Sequence, residues 1–156
     1  MASIPLDTKG VVVPCPSCAR KNRLAYDQLD RPHRCAACKA ELGAPDVPVD
    51  VPSVTLFDAI VQHSSMPVVV DYWAPWCGPC RMVAPELEKV ARTNVGRLLV
   101  IKVNTDQVPE LGDRYTIRSI PTMAVFEGGK EVGRTTGARP APAIEAFVKD
   151  SVGVRR

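Results

Sequence analysis

Trp73-Ala74-Pro75-Trp76-Cys77-Gly78-Pro79-Cys80 is the stretch on which the reading of this chain turns. Just before it, Val68-Val69-Val70-Asp71-Tyr72 is a short run rich in β-branched residues, the pattern of a buried strand. Just after it, Gly78 to about Thr93 predicts a helix with Met82, Leu87 and Val90 on its inner side, kinked at Pro85. The cysteines therefore straddle a strand-to-helix junction, with Cys77 at a helix N-terminus. Unpaired backbone N–H groups and the positive end of the helix dipole stabilise a thiolate there, which makes Cys77 the attacking sulfur. Cys80 follows one helical turn later on the same face, close enough to form a disulfide and to release a substrate from a mixed disulfide. An inert or metal-binding role fits this motif less well, because a proline between the cysteines and a following helix suit redox chemistry.

Regular elements alternate on both sides of the motif. Ser53 or Thr55 can cap a helix through about Gln62, in which Leu56, Phe57, Ile60 and Val61 recur at helical spacing. Leu98 to Val103 reads as a strand, Pro109 to Tyr115 as a short helix, and Pro140 to Val152 as a closing helix. Thr122 to Glu127 and Glu131 to Thr135 flank Gly128-Gly129, a hairpin signal. Strands alternating with helices, then a hairpin and a last helix, predict an α/β domain with a mixed central sheet.

Two motifs at the right separation resemble the thioredoxin family, and the resemblance covers residues from about 54 to 152. Trp73 to Cys80 is similar to the family's active-site signature, and Ile120-Pro121-Thr122 is similar to its facing cis-proline loop. The resemblance implies a thioredoxin-like fold and protein-disulfide reduction by dithiol–disulfide exchange, with no bound organic cofactor. It implies that Ile120, Pro121 and Thr122 contact substrate backbone, that Gly137 lines the same groove, and that Trp76, Gly78 and Pro79 border it. A Gly–Pro pair between the cysteines implies a reductase rather than an oxidase. The expected partners are an NADPH-dependent thioredoxin reductase and oxidised substrate proteins.

Asp71 interrupts an apolar strand, and burial would disfavour its ionised form and suit it to proton transfer near neutral pH. Alternation alone equally permits an exposed residue. The family's buried aspartate occupies this position, so the resemblance implies that Asp71 deprotonates Cys80, with Lys102 on the next strand as its electrostatic partner. Trp76 is expected to cover the site and Trp73 simply to pack.

All six cysteines fall into Cys-x-x-Cys pairs, with none left over. Cys15-Pro16-Ser17-Cys18 and Cys35-Ala36-Ala37-Cys38 are separated by sixteen residues, inside the spacing of a four-cysteine zinc ribbon. Two such turns complete a closed tetrahedral shell, so one structural Zn2+ is expected at Cys15, Cys18, Cys35 and Cys38. Its binding would replace a hydrophobic core that this segment has too little apolar material to build, and chelation should unfold it. Iron in a rubredoxin-like site and two further redox disulfides stay open as alternatives. His33 and His63 are expected at the surface as ordinary residues. Together with the downstream match, the arrangement resembles the bacterial thioredoxin 2 type, whose N-terminal extension binds zinc. The expected organisation is a zinc-ribbon module over 1–44, a proline-rich linker over 45–53 whose last residues can join an edge strand, and a thioredoxin-like domain over 54–156.

Bulk properties agree with a globular chain of 156 residues, 46% hydrophobic and 24% charged. The net charge of +3 arises in residues 1–44, which hold seven Lys/Arg against four Asp/Glu, while the remainder holds thirteen of each. That excess is too small to indicate nucleic acid, and Tyr26 is the only aromatic in residues 1–44 on which a base could stack. No apolar run approaches the roughly 18 residues needed to span a bilayer. The start, Met1-Ala2-Ser3-Ile4-Pro5-Leu6-Asp7, lacks the basic and apolar regions of a secretory signal, so a cytoplasmic location is expected. In that reducing compartment Cys-x-x-Cys pairs serve as metal ligands or catalytic dithiols. Two other functions remain on the table: a ribbon that binds protein or nucleic acid and delivers the reductase to its target, and zinc release on oxidation that switches on a holdase or regulatory activity.

Overall fold

A computed structural model of the chain describes residues 4–153; Met1 to Ser3 and Val154 to Arg156, on which part of the leader and domain-end readings falls, lie outside them. The N-terminal part is two small hairpins. Strand β1 (Gly10–Pro14) pairs antiparallel with β2 (Lys21–Ala25), and β3 (His33–Arg34) pairs with β4 (Glu41–Leu42). A single turn of tighter helix, Tyr26–Gln28, joins the two hairpins.

The proline-rich stretch ends in β5 (Val49–Asp50), a short edge strand on the main sheet. Helix α1 (Val54–His63) follows, capped by the Ser53 hydroxyl, which accepts from the Leu56 N–H at 3.2 Å. Next come β6 (Val68–Trp73), α2 (Gly78–Thr93), β7 (Leu99–Asn104), α3 (Pro109–Arg114), β8 (Thr122–Glu127), β9 (Lys130–Thr136) and α4 (Ala141–Gly153). The sheet order is β5-β7-β6-β8-β9. Strands β5, β7 and β6 run parallel and β8 and β9 antiparallel, the mixed sheet that the alternation predicts.

Strand β6 is central, so its valines are buried on both faces. On one face Val68, Val70 and Tyr72 pack with Phe57 and Ile60 of α1 and Leu111 of α3; on the other, Val69 packs with Val83, Leu87 and Val90 of α2 and Ile144 of α4. The expected inner stripe of α2 needs one correction. Met82 is 69% exposed, and Val83 takes the inward place, because Val83, Leu87 and Val90 align at 3.6 residues per turn while Met82 lies about 100° away.

The N-terminal hairpins do not build a separate core. Val11, Leu24, Tyr26, Leu29 and Leu42 are buried in the same cluster as Phe57 and Ile60. The segment that has too little apolar material for itself is completed by the α/β unit.

Candidate functional site

Cys77 is the N-cap of α2, in extended backbone conformation, and its Sγ accepts from the Cys80 N–H at 3.2 Å. Gly78 and Pro79 open the helix, where proline's missing N–H costs nothing because no intrahelical acceptor precedes it. One turn of helix brings Cys77 and Cys80 together, and the two form a disulfide with Cα atoms 5.3 Å apart. Both residues are buried, while Trp76 beside them is 68% exposed, its indole N–H donating to Asp106 Oδ1 at 3.4 Å. The Arg81 guanidinium donates to the Pro75 carbonyl at 2.7 Å, tying the first turn of α2 back to the loop before it.

The Ile120–Pro121 peptide bond is cis, and the Ile120 carbonyl oxygen lies 3.8 Å from Cys77 Sγ. Thr122 donates through its hydroxyl to the Ser119 carbonyl at 2.6 Å, and the Gly137 N–H donates to the Pro121 carbonyl at 2.8 Å. Gly137 has φ +93°, a conformation in which glycine alone is unstrained. Ile120, Pro121, Thr122 and Gly137 thus form one connected loop system facing the disulfide. Beside it, Trp76, Ile117 and Ile120 border a cleft of about 460 Å³.

Asp71 lies on the α2 face of β6, 1% exposed, and its Oδ1 has no hydrogen-bond partner among the described residues. Burial pushes its carboxyl up to about 7, against the pull of the Lys102 ammonium. Lys102 is directly across from Asp71 on β7, and its Nζ sits 4.6 Å from the centre of the Trp73 ring. Trp73 therefore does more than pack: it presents its face to the lysine.

The four upstream cysteines converge. Their sulfurs all lie within 4.8 Å of one another, with Cys15 to Cys38 at 3.5 Å and Cys18 to Cys35 at 3.6 Å. A tetrahedron of Zn–S bonds of 2.3 Å has sulfur–sulfur edges of about 3.8 Å, so the donor set fits a four-thiolate metal shell. The two turns are built alike. Cys15 and Cys35 each accept from the N–H two residues on at 3.4 Å, and the residue after each pair, Ala19 and Lys39, has φ near +65° and +67° respectively. Crowding splits the thiols. Backbone N–H of Cys38, against desolvation by burial, pulls Cys35 down to about 6; the Arg20 N–H pulls on Cys18, but the thiols of Cys35 and Cys38 push it up to about 11. A shared cation relieves that conflict.

Asn22 is a site residue that sequence reasoning missed. Its side chain donates to the Arg20 carbonyl at 3.0 Å and to Cys35 Sγ at 3.6 Å, and its Oδ1 accepts from the Ala36 N–H at 3.1 Å. It therefore ties one cysteine turn to the other. A polar residue at a buried position of the alternating strand Lys21–Ala25 was the available signal. His63 is exposed as expected, whereas His33 is half-buried with a ring nitrogen 2.7 Å from the Gln28 carbonyl oxygen, in contact with the turn before its strand rather than with the sulfur cluster.

A disulfide at a helix N-terminus, faced by a cis-proline loop on a mixed α/β sheet, defines a thiol–disulfide oxidoreductase. The family model described as Thioredoxin matches residues 49–150. The chain belongs to the thioredoxin family. It is 51% identical over 88 residues to Thioredoxin 1 of Nostoc sp., covering 56% of this chain and 82% of that protein. It is 41% identical over 134 residues to a chloroplastic Thioredoxin M-type of Chlamydomonas reinhardtii, covering 86% and 90%. Among solved structures, Plasmodium falciparum thioredoxin superposes with a TM-score of 0.60 at 34% identity, covering 65% of this chain and 96% of that one. Disulfide reduction by dithiol–disulfide exchange is thus the chain's activity class. No helix among the described residues is long and apolar enough to cross a membrane.

Proposed function

We propose that this protein is a general protein-disulfide reductase in which Cys77 is the nucleophile and Cys80 the resolving thiol. The observation that carries the reading is the Cys77–Cys80 disulfide at the N-terminus of α2, facing the Ile120–Pro121 loop. In the reduced protein the Cys77 thiolate attacks one sulfur of a substrate disulfide; the other substrate sulfur leaves as a thiolate, and a mixed disulfide forms. Cys80 then loses its proton to Asp71 and attacks the Cys77 sulfur. The second substrate thiolate leaves, Cys77 and Cys80 are joined, and two electrons have passed to the substrate. Lys102 is the electrostatic partner of Asp71. Trp76, Gly78, Pro79, Ile120, Pro121, Thr122 and Gly137 form the groove for substrate backbone, with the cis loop offering peptide groups at the sulfur.

Cys15, Cys18, Cys35 and Cys38 are proposed as the ligands of one structural Zn2+. Bound there, the ion supplies no redox chemistry; it holds two turns that have little packing of their own. This makes the chain a thioredoxin 2 type, with a ribbon over 1–44, a linker over 45–53 and the catalytic domain over 54–156. An NADPH-dependent thioredoxin reductase recharges it, and a reducing compartment such as the cytoplasm is the proposed location.

The deciding experiment is NADPH-coupled reduction of insulin disulfides by the zinc-loaded protein, beside Cys77→Ser and a variant with Cys15, Cys18, Cys35 and Cys38 all changed to serine. The reading expects Cys77→Ser to abolish turnover and the four-serine variant to retain it. Wild-type protein that stays inactive after reduction with dithiothreitol sinks it.

A further inference from the structure

We propose that Asp50 is a positioning residue for the redox reaction, sharing Lys102 with Asp71 and so setting how firmly Asp71 holds its proton. The inference rests on the proton-transfer role proposed for Asp71. Lys102 of β7 has a carboxylate residue directly across from it on each side, Asp50 of β5 and Asp71 of β6. The Val51 N–H donates to the Lys102 carbonyl at 2.9 Å, which holds β5 in that register. Residues aligned across parallel strands project from the same face, and this face is the one under α2, since Val69 and Val100, two residues back on β6 and β7, pack there with Val83 and Leu87.

The ammonium group is committed to neither acid. Its Nζ sits over the Trp73 ring, and Asp50, Lys102 and Trp73 line one cleft of about 550 Å³ whose far wall is Ile4 and Leu6 from the N-terminal segment. Asp50 is exposed where Asp71 is buried, and its carboxylate competes with Asp71 for the Lys102 cation between them. Strands are about 4.8 Å apart, which puts the two acids about 10 Å from each other with the lysine midway. That spacing is about one Debye length at physiological salt, so screening weakens the interaction without abolishing it.

Among the described residues, strand β8 places Met123 across from Asp71, and apart from Asp50 and Lys102 the residues lining the cleft, Ile4, Leu6, Asn104 and Gln107 among them, are uncharged. Removing the Asp50 charge therefore returns Lys102 to Asp71 and favours its ionised form.

The test follows the Asp71 side-chain carboxyl carbon by NMR against pH in the oxidised full-length protein. It compares wild type, Asp50→Asn and Asp50→Glu, each also in a Lys102→Met background, with Lys102→Gln as the substitute if methionine prevents folding. Asp50→Asn should lower the Asp71 midpoint by about half a pH unit, Asp50→Glu should restore it, and without Lys102 the shift should largely disappear. The acid limb of the insulin-reduction profile should move to lower pH in Asp50→Asn. An unmoved midpoint, or the same shift without Lys102, overturns the proposal. A carboxyl that shifts as expected in a protein with no turnover overturns the reductase reading instead.

Discussion

The backbone N–H of Ser65, in the loop between α1 and β6, donates to the carbonyl of Tyr26 at 3.0 Å, and this bond joins the N-terminal hairpins to the α/β unit. Tyr26 is fixed at three points. Its ring is buried, its hydroxyl donates to the Asp7 carbonyl at 2.7 Å, and its carbonyl receives the Ser65 N–H. Tyr26→Ala should therefore destabilise the whole chain by about 4 kcal/mol, the usual cost of emptying a buried aromatic site. Urea unfolding followed by circular dichroism measures it. A loss confined to the hairpins, with an unchanged main transition, would mean that the two parts do not share a core.

Asp71 makes stability depend on pH. Its carboxyl titrates at about 7 when folded, against 3.8 for an ordinary aspartate, so the folded state holds the proton more tightly. The penalty is absent below about pH 4, grows as pH rises toward 7 and is constant above it. A shift of about 3 units corresponds to about 4 kcal/mol. Asp71→Asn should accordingly be more stable than wild type at pH 8, with the advantage fading by pH 4. Equal stability of the two proteins at pH 8 would contradict an ionised, poorly solvated Asp71.

Thr116 terminates α3 in a left-handed conformation, with φ +54°. Its N–H donates to the Asp113 carbonyl at 3.2 Å and the next N–H, of Ile117, to the Gly112 carbonyl at 2.8 Å, a helix end that glycine usually provides. A β-branched residue there is strained, and Thr116 is exposed, so little packing compensates. Thr116→Gly should stabilise by about 1 kcal/mol, raising Tm by about 2–4 °C in calorimetry. A lower Tm would show that the threonine side chain holds the loop leading to Pro121.

Metal content tests the sulfur cluster. Purified protein should carry one zinc per chain, and a chelator strong enough to remove it should speed amide exchange in β1 to β4 far more than in β6 to β8. Asn22→Ala, which cuts the tie between the two cysteine turns, should weaken zinc binding by about tenfold or more. Iron in place of zinc, or a chelator that leaves exchange in β1 to β4 unchanged, would refute the structural-zinc assignment.

Much of this molecule was legible in its residues because the signals are local. Val68 to Tyr72, the N-cap at Cys77, the Gly128-Gly129 hairpin and the paired cysteine spacing each depend on neighbours within one turn or one strand. Asp71 shows where that stops. Alternation left its burial undecided, and only packing of α2 on β6 makes it a buried acid with a raised pKa. Met82 was misplaced because one residue of helix rotation decides which side chain points inward, and composition does not fix that phase.

By itself, then, the order of residues determined the elements, the Cys77/Cys80 pair and the grouping of the four upstream cysteines, since spacing along a helix or turn dictates which side chains share a face. Tertiary structure decided what lies far apart in sequence: Asn22 between the cysteine turns, Tyr26 and Leu29 inside the core of the α/β unit, and Asp50, Lys102 and Asp71 in one row across three strands. Those relations arise from strand register and shared burial, which are settled only when the chain closes on itself.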